Sequence, residues 1–485
     1  MTGTAGDRDG TAIKTAGKRE MTERKAPGWL LWGVLLLLVL AQTQAALAKD
    51  LKDGPFVSGA DVFAALLFGV WALWALATGA WRRLKWPPLA AGVLVAVAIV
   101  AAGRADSPEA LKSAVVDVAQ YILYFLCVYL LALNALTEEG RIWRVVGLLS
   151  VLTALMALAA LGQYVLWADP ANPDETFRRV SSTFGLGEVL ATTPLGQKLH
   201  LAGRSSRSIY CNYLLLVLPV LYALGLGLRS PGWARPALLA TVGLGLLTML
   251  SGWQFWALVA ILLALSLRYG ARPTLALAGA VVVFVAVSPF ALPRNHYANL
   301  VELADFYEEG VRDESAITDE SFQGGELPTT TEVKKRWIEW QPALSMVQAN
   351  PVLGVGTGGY QLHIGQNYGM LPNFEKIEPD TNCGWLVIAG SMGLLGLIAF
   401  AAVFNGAYRT AAAQMTRAPG AALQALSAGL AGSMLGVMLA MVFSNVLVRG
   451  LSITVILLLA LVSAVEALSA GAAPAEPTRH STEVD

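Results

Sequence analysis

Residues 336–396 read RWIEWQPALSMVQANPVLGVGTGGYQLHIGQNYGMLPNFEKIEPDTNCGWLVIAGSMGLLG, and this stretch joins the two kinds of sequence that the chain contains. As far as Asn382 it is polar and interrupted by glycine and proline, and from there it is apolar for long enough to begin a membrane-spanning helix. Polar sequence inserted between apolar helices is where chemistry outside a bilayer is expected. The stretch therefore predicts a helical membrane protein with a functional loop beside the membrane.

The composition excludes several other classes of protein. Hydrophobic residues make up 55% of the 485 residues and charged residues only 14%, and the mean hydropathy of +0.56 is not typical of a soluble globular protein. The formal net charge is zero, so there is no excess of positive charge that would indicate nucleic-acid binding. The cysteines Cys127, Cys211 and Cys383 lack CxxC spacing and no HExxH motif occurs, so neither a disulfide framework nor a metal site is predicted.

Apolar segments close to the length of a bilayer crossing recur along the whole chain. We predict an all-α integral membrane protein with about twelve transmembrane helices. The predicted segments are 28–47, 59–81, 87–103, 113–136, 145–167, 208–228, 236–250, 255–267, 274–291, 383–407, 421–446 and 451–470.

Basic residues indicate the orientation, because short cytoplasmic connections carry an excess of lysine and arginine. Such residues cluster in the N-terminal tail and after the second and fourth segments, which lie on one side of the membrane if both termini are cytoplasmic. The cytoplasmic connections are then short, so an active site is expected on the external side. The predicted parts are a disordered cytoplasmic tail (1–27), helices one to nine (28–291) with an external loop (168–207), a large external loop between helices nine and ten (292–382), helices ten to twelve (383–470) and a cytoplasmic tail (471–485).

Two regions of the chain contain recognisable motifs. Residues 336–358 contain R-x3-W and then N-P-x2-G-x-G-x-G, and Asn382 precedes a helix whose first turns are rich in glycine (Gly390, Gly393 and Gly396). Residues 204–212 have the pattern R-S-S-R-x4-N and lead into an apolar segment. In order and spacing, the two regions resemble those of the O-antigen ligase and polymerase superfamily, whose members have a segment similar to 204–212 before their middle helices.

The resemblance implies a multi-span glycosyltransferase of the bacterial inner membrane, with a fold like that of C-type glycosyltransferases. Such enzymes take a glycan from an undecaprenyl-pyrophosphate carrier and transfer it to an acceptor hydroxyl on the periplasmic face, with inversion and with neither a metal nor another cofactor. The acceptor is the lipid A core in a ligase and a growing polysaccharide in a polymerase. No residue identifies the acceptor sugar, and departures from the family pattern slightly favour a polymerase-like or exopolysaccharide member.

Arginines are the expected ligands of the carrier's pyrophosphate, because the guanidinium binds phosphate oxygens with two hydrogen bonds and stays charged. Arg204 and Arg207 precede the sixth segment, where a carrier phosphate would lie. Arg336 is a third candidate. The alternatives are that Arg204 and Arg207 bind anionic lipid and that Arg336 is a solvent-exposed charge on a helix.

The general base is expected just before the tenth segment. Family members commonly carry a histidine there, directly before an asparagine, whereas this chain has Thr381 before Asn382. A carboxylate can replace the imidazole, so Asp380 and Glu378 are the candidate catalytic residues. Their alternative role is to cap the N-terminus of the following helix. His363 is a further candidate that could supply the imidazole, or it packs the loop.

A second departure lies after the seventh segment. Family members often have Ser-Arg at this turn, where this chain has Ser251 and Gly252, so one expected phosphate-binding cation is missing. Trp253 follows directly and is a candidate for stacking on a sugar or on the polyprenyl chain. Its alternative is a place in the ordinary belt of interfacial aromatic residues.

A transporter or flippase for lipid-linked glycans is the competing function, and a structural membrane subunit is a third interpretation. A transport path needs polar groups near the middle of the bilayer. The predicted segments contain few such groups, since Asp61 and Asp117 lie near segment ends and Glu466 lies in the last segment. Large loops on one side only also favour an enzyme over a transporter.

Overall fold

The structure, a computed structural model, consists of helices joined by short turns and by longer connections. It describes residues 27–43, 46–47, 57–167, 201–202, 207–228, 232–249, 252–291, 332–367 and 383–472. The helices are α1 (Gly28–Thr43), α2 (Gly59–Thr78), α3 (Leu89–Ala102), α4 (Pro108–Ala135, with a π-helical stretch at Leu123–Val128), α5 (Glu139–Trp167), α6 (Arg207–Gly227), α7 (Ala234–Thr248), α8 (Gly252–Tyr269), α9 (Ala271–Ala291), α10 (Glu332–Ala349), α11 (Tyr360–Asn367), α12 (Gly384–Arg417), α13 (Ala421–Phe443) and α14 (Arg449–Ala472).

The prediction of a helical membrane protein is confirmed. Each of the predicted apolar segments overlaps one helix, and within the described ranges eight helices are long and apolar enough to cross a membrane. The helices α1, α3, α7 and α9 are apolar but shorter, so a count of twelve crossings stays a prediction. Strands in the described residues are limited to Ala46–Leu47 (β1) and Leu201–Ala202 (β2), which pair antiparallel.

Local sequence explains where several helices begin and end. Ser58 forms a capping box with Asp61, since each side chain accepts a hydrogen bond from the other residue's backbone N–H, at 3.2 and 2.8 Å. The Ser107 hydroxyl accepts from Ala110 N at 3.1 Å, and Pro108 occupies the first helical position of α4. The α2 helix ends at Gly79, which adopts the left-handed conformation with φ of 71°.

The core of the bundle is built around α6 and α13. In the apolar stretch of α6, 94% of the residues are buried, against 33% in α2, so α6 runs through the centre and α2 at the periphery. Small residues on α13 allow the two helices to approach closely, because a Cβ at Gly429 would overlap the backbone of Val220. The Ser433 hydroxyl also donates to the carbonyl of Leu216 across this contact.

The α12 helix is broken near its start, although the sequence predicts a continuous segment at 383–407. Gly393 has φ of 66° and ψ of −166°, which are not helical values. The rings of Trp385 and Phe400 lie 5.5 Å apart, whereas fifteen positions along a straight helix would separate them by about 22 Å. The part of α12 before Gly393 therefore folds back over the part that follows.

Candidate functional site

The glycine motif of the large loop fits into the break in α12. Residues 351–356 and 390–395 exchange four backbone hydrogen bonds, which satisfy groups that the broken helix leaves without partners of its own. These bonds run from Val355 N to Gly390 O (2.9 Å), from Gly356 N to Ser391 O (3.0 Å), from Leu394 N to Pro351 O (2.8 Å) and from Leu395 N to Val352 O (3.4 Å).

Glycine is required in this motif by close approach as well as by conformation. Gly354 and Gly358 have φ of 64° and 76°, which side chains rarely tolerate. A Cβ at Gly354 would overlap the carbonyl of Gly390, and one at Gly358 would overlap the backbone at residues 113–114 in α4. The motif is thus a tight turn whose backbone packs against two helices.

The end of α3 and the turn between α3 and α4 contact the other side of the motif. The Arg104 guanidinium donates to Asn350 Oδ1 at 3.1 Å, and the Thr357 hydroxyl donates to the carbonyl of Ala98 at 2.8 Å. His363, in α11, has its Nε2 at 2.8 Å from a carboxylate oxygen of Asp106. The loop therefore connects the α3–α4 turn to the start of α12.

A buried polar network joins four more chain segments at the same end of the bundle. Asn212, in the second turn of α6, donates to the hydroxyl of Ser444 and accepts from Gln254 Nε2 at 3.3 Å. The Ser444 carbonyl accepts from Gly384 N at 3.3 Å. All three side chains are buried. The network connects the beginnings of α6, α8 and α12 with the α13–α14 turn. We use the name loop end for these four segments together with residues 350–363 and the α3–α4 turn.

Trp253 lies beside this network at the start of α8. Its ring stacks on Phe443 at a centroid distance of 5.0 Å and an interplanar angle of 13°. Its indole N–H is buried and has no hydrogen-bond partner among the described residues. A buried indole N–H normally has an acceptor, so a ligand oxygen at this position would complete the site.

Most of the residues predicted to act on the substrate are close in sequence to residues of the loop end, but the structure does not describe their side chains. Glu378, Asp380, Asn382 and Arg204 fall outside the described residues. Arg207 is the first residue of α6 and Arg336 lies in α10, and the structure describes the backbone of both but not their side chains. Their roles stay predictions. Asn382 directly precedes Cys383, and the residue after that, Gly384, donates to the Ser444 carbonyl of the network.

The contacts of His363 favour the packing role over the catalytic one. Its Nδ1 lies 2.8 Å from the Gly359 carbonyl, which can only accept, and its Nε2 faces Asp106. Partial burial lowers the pKa of His363, but the hydrogen bonds to Gly359 and Asp106 outweigh it, so the pKa lies above its ordinary value. The hydrogen bond and the charge of His363 hold the pKa of Asp106 below its usual range. A ring with both nitrogens engaged in this way is poorly placed to accept a substrate proton.

Sequence reasoning did not predict Ser444, Gln254, Arg104 or Asp106 as parts of the site. Ser444 lies 232 positions from Asn212, and no local pattern connects residues so far apart. A usable signal for Arg104 and Asp106 was their position in a short polar turn between two apolar segments, on the side predicted to be external.

Part of the chain is similar to a known protein family. Residues 236–401 match a family model described as O-antigen ligase. The matched range runs from α7 into α12, so it contains the large loop, the glycine motif and the break at Gly393, and it leaves out Arg204 and Arg207. No curated protein matches the chain significantly. The predicted resemblance is confirmed, since residues 236–401 are similar to the O-antigen ligase family.

Proposed function

We propose that the protein transfers a glycan from an undecaprenyl-pyrophosphate carrier to a sugar hydroxyl of an acceptor at the periplasmic face of a bacterial inner membrane. The acceptor is the lipid A core or a growing polysaccharide, and both termini are cytoplasmic. The family match supports glycan transfer of the ligase and polymerase type. The carrier, the absence of a metal and the inverting course are parts of the proposal.

The observation that carries the proposal is the convergence of four segments in the buried network of Asn212, Gln254 and Ser444. The chain on either side of this network leads within a few residues to Arg207 at the start of α6 and to the 378–382 segment before α12. The candidate cations and carboxylates are therefore close in sequence to residues that the network brings together, which supports a common site for them. A transfer reaction needs this combination of groups.

The proposed reaction is a single displacement at the anomeric carbon of the donor sugar. Arg204, Arg207 and Arg336 bind the pyrophosphate, which is already a good leaving group and needs no general acid. The acceptor oxygen forms a bond to this carbon as the bond to the phosphate oxygen breaks, and undecaprenyl pyrophosphate leaves with the electron pair. Asp380, or alternatively Glu378, accepts the hydroxyl proton. Attack from the face opposite the leaving group inverts the configuration.

The proposed roles of the arginines and the carboxylate are tested by substitution. We expect Arg204→Ala, Arg207→Ala and Asp380→Ala each to abolish glycan transfer in cells that still express the protein, because each removes a charge that the reaction needs. Polymer profiles of cells that carry each variant provide the measurement. Arg417→Ala is the matched control, since this exposed arginine ends α12 far along the helix from the loop end. Normal profiles from all three site variants would contradict the assignment.

A further inference from the structure

A continuous series of hydrogen bonds connects the α3–α4 turn, the glycine-motif loop and the start of α12. Arg104 and Asp106 hold the loop through Asn350 and His363. The loop in turn holds the broken start of α12 through the four backbone hydrogen bonds between residues 351–356 and 390–395. Residues 378–382 directly precede this start. The α3–α4 turn is therefore connected, through the loop, to the start of α12.

We propose that Arg104 and Asp106 are positioning residues for glycan transfer: they hold the glycine-motif loop, and through it the start of α12, in the arrangement that the reaction needs. Neither residue is placed on the substrate. The inference rests on the proposed function, because it assigns these two residues to the same reaction. It extends the site beyond residues 236–401, since both residues lie in the first half of the chain.

The Asp106–His363 contact depends on the protonation of the imidazole. Nδ1 must donate to the Gly359 carbonyl, so a neutral ring would present an Nε2 lone pair to the carboxylate. Only the imidazolium donates on both sides. The contact is an exposed ion pair on the carboxylate side, where the Asp106 side chain is 61% accessible, so its effect on global stability is small.

Few charged side chains lie close enough to His363 to affect the protonation of its imidazole. Besides Asp106, the described charged side chains around the turn are Arg104, bound to Asn350, and Glu109 and Lys112, which are exposed. The first half of α12, residues 384–392, has no charged residue, and α10 has none after Glu339. Asp106 is the group whose charge favours the imidazolium.

The pH range of the contact follows from the directions of the two shifts. The pKa of His363 is raised from 6.5, so its contribution is complete below that value and is lost as the pH rises through the higher, folded-state pKa. The pKa of Asp106 is lowered from 3.8, so its contribution is complete above that value and is lost as the pH falls through the lower pKa. The contact is therefore lost as the pH rises through the raised pKa of His363.

The test is the pH profile of glycan transfer by the full-length protein in proteoliposomes with a lipid-linked oligosaccharide. We expect the rate to fall on the alkaline side as His363 loses its proton, and Asp106→Asn to move this fall to lower pH. Glu109→Gln is the matched control, because it removes an exposed carboxylate of the same α4 end and should leave the fall in place. Arg104→Ala should lower kcat at every pH by up to about 100-fold, the loss that a misplacement of about 1 Å causes, with Arg104→Lys partly restoring it.

Two outcomes overturn the inference. The first is a profile of Asp106→Asn identical to those of the wild type and Glu109→Gln. If Asp106→Asn does not fold, as judged by its thermal unfolding, His363→Gln replaces it, and an alkaline fall retained in that variant also overturns the inference. A wild-type protein that transfers no glycan would contradict the proposed function instead.

Discussion

Asn212 connects two other segments of the loop end, because its single amide group hydrogen-bonds both of them. It donates to Ser444 and accepts from Gln254, so its loss leaves two buried polar groups without their partner in this network. We expect Asn212→Ala to lower the free energy of unfolding by about 1 kcal/mol or more. Unfolding in detergent measures this change. Ser427→Ala is the control, since that buried hydroxyl bonds the Leu423 carbonyl of its own helix, and its removal should change stability little. Equal stability of the two variants would contradict the role of Asn212.

The sequence allows single residues to be proposed more easily than their partners. Arg204 and Asp380 are candidates because charge types and family motifs are visible in a sequence. The pairing of Asn212 with Ser444 is not, since it depends on how α6 and the α13–α14 turn pack. His363 is an intermediate example: its residue type suggests a base, but its engagement with Asp106 and Gly359 becomes visible only in the fold.

Among the elements, α12 differs most from its sequence prediction. An apolar composition predicts one uninterrupted helix at 383–407, and glycine is common in membrane helices, so Gly393 does not mark a break. The break forms because residues 351–356 supply hydrogen bonds to groups near Gly393 and because a Cβ there would overlap the carbonyl of Val352. Helix positions were predictable from apolar length, whereas this break depends on a tertiary contact.

The same contact leads to a prediction about the glycine motif. Gly354→Ala places a Cβ against the Gly390 carbonyl at a positive φ, so we expect it to destabilise the protein by about 1–3 kcal/mol and to lower glycan transfer at least about tenfold. Unfolding in detergent and the transfer rate measure the two effects. Gly279→Ala in α9 is the control: a Cβ there meets no atom within 4 Å, so stability should be unchanged or slightly raised. A Gly354 variant that behaves like this control would contradict the packing argument.

At the scale of the whole molecule, the described contacts bring the polar segments together at one end of an apolar bundle. The sequence predicts this one-sidedness from its basic residues and its loop lengths. It does not predict that the α3–α4 turn takes part, because the contacts of Arg104 and Asp106 with the large loop join residues about 250 positions apart. Long-range contacts of this kind bring polar segments that are far apart in the sequence together at one end of the bundle.

The most direct test of the central claim is glycan transfer by the purified protein in proteoliposomes that contain an undecaprenyl-pyrophosphate-linked oligosaccharide and an acceptor. The proposal predicts that the donor is consumed and that undecaprenyl pyrophosphate is released in an amount equal to the glycan transferred. The product is then found on the lipid A core if the protein is a ligase, or as a ladder of lengths if it is a polymerase. A donor that stays chemically unchanged but moves across the liposome membrane would contradict glycan transfer and would indicate a transporter.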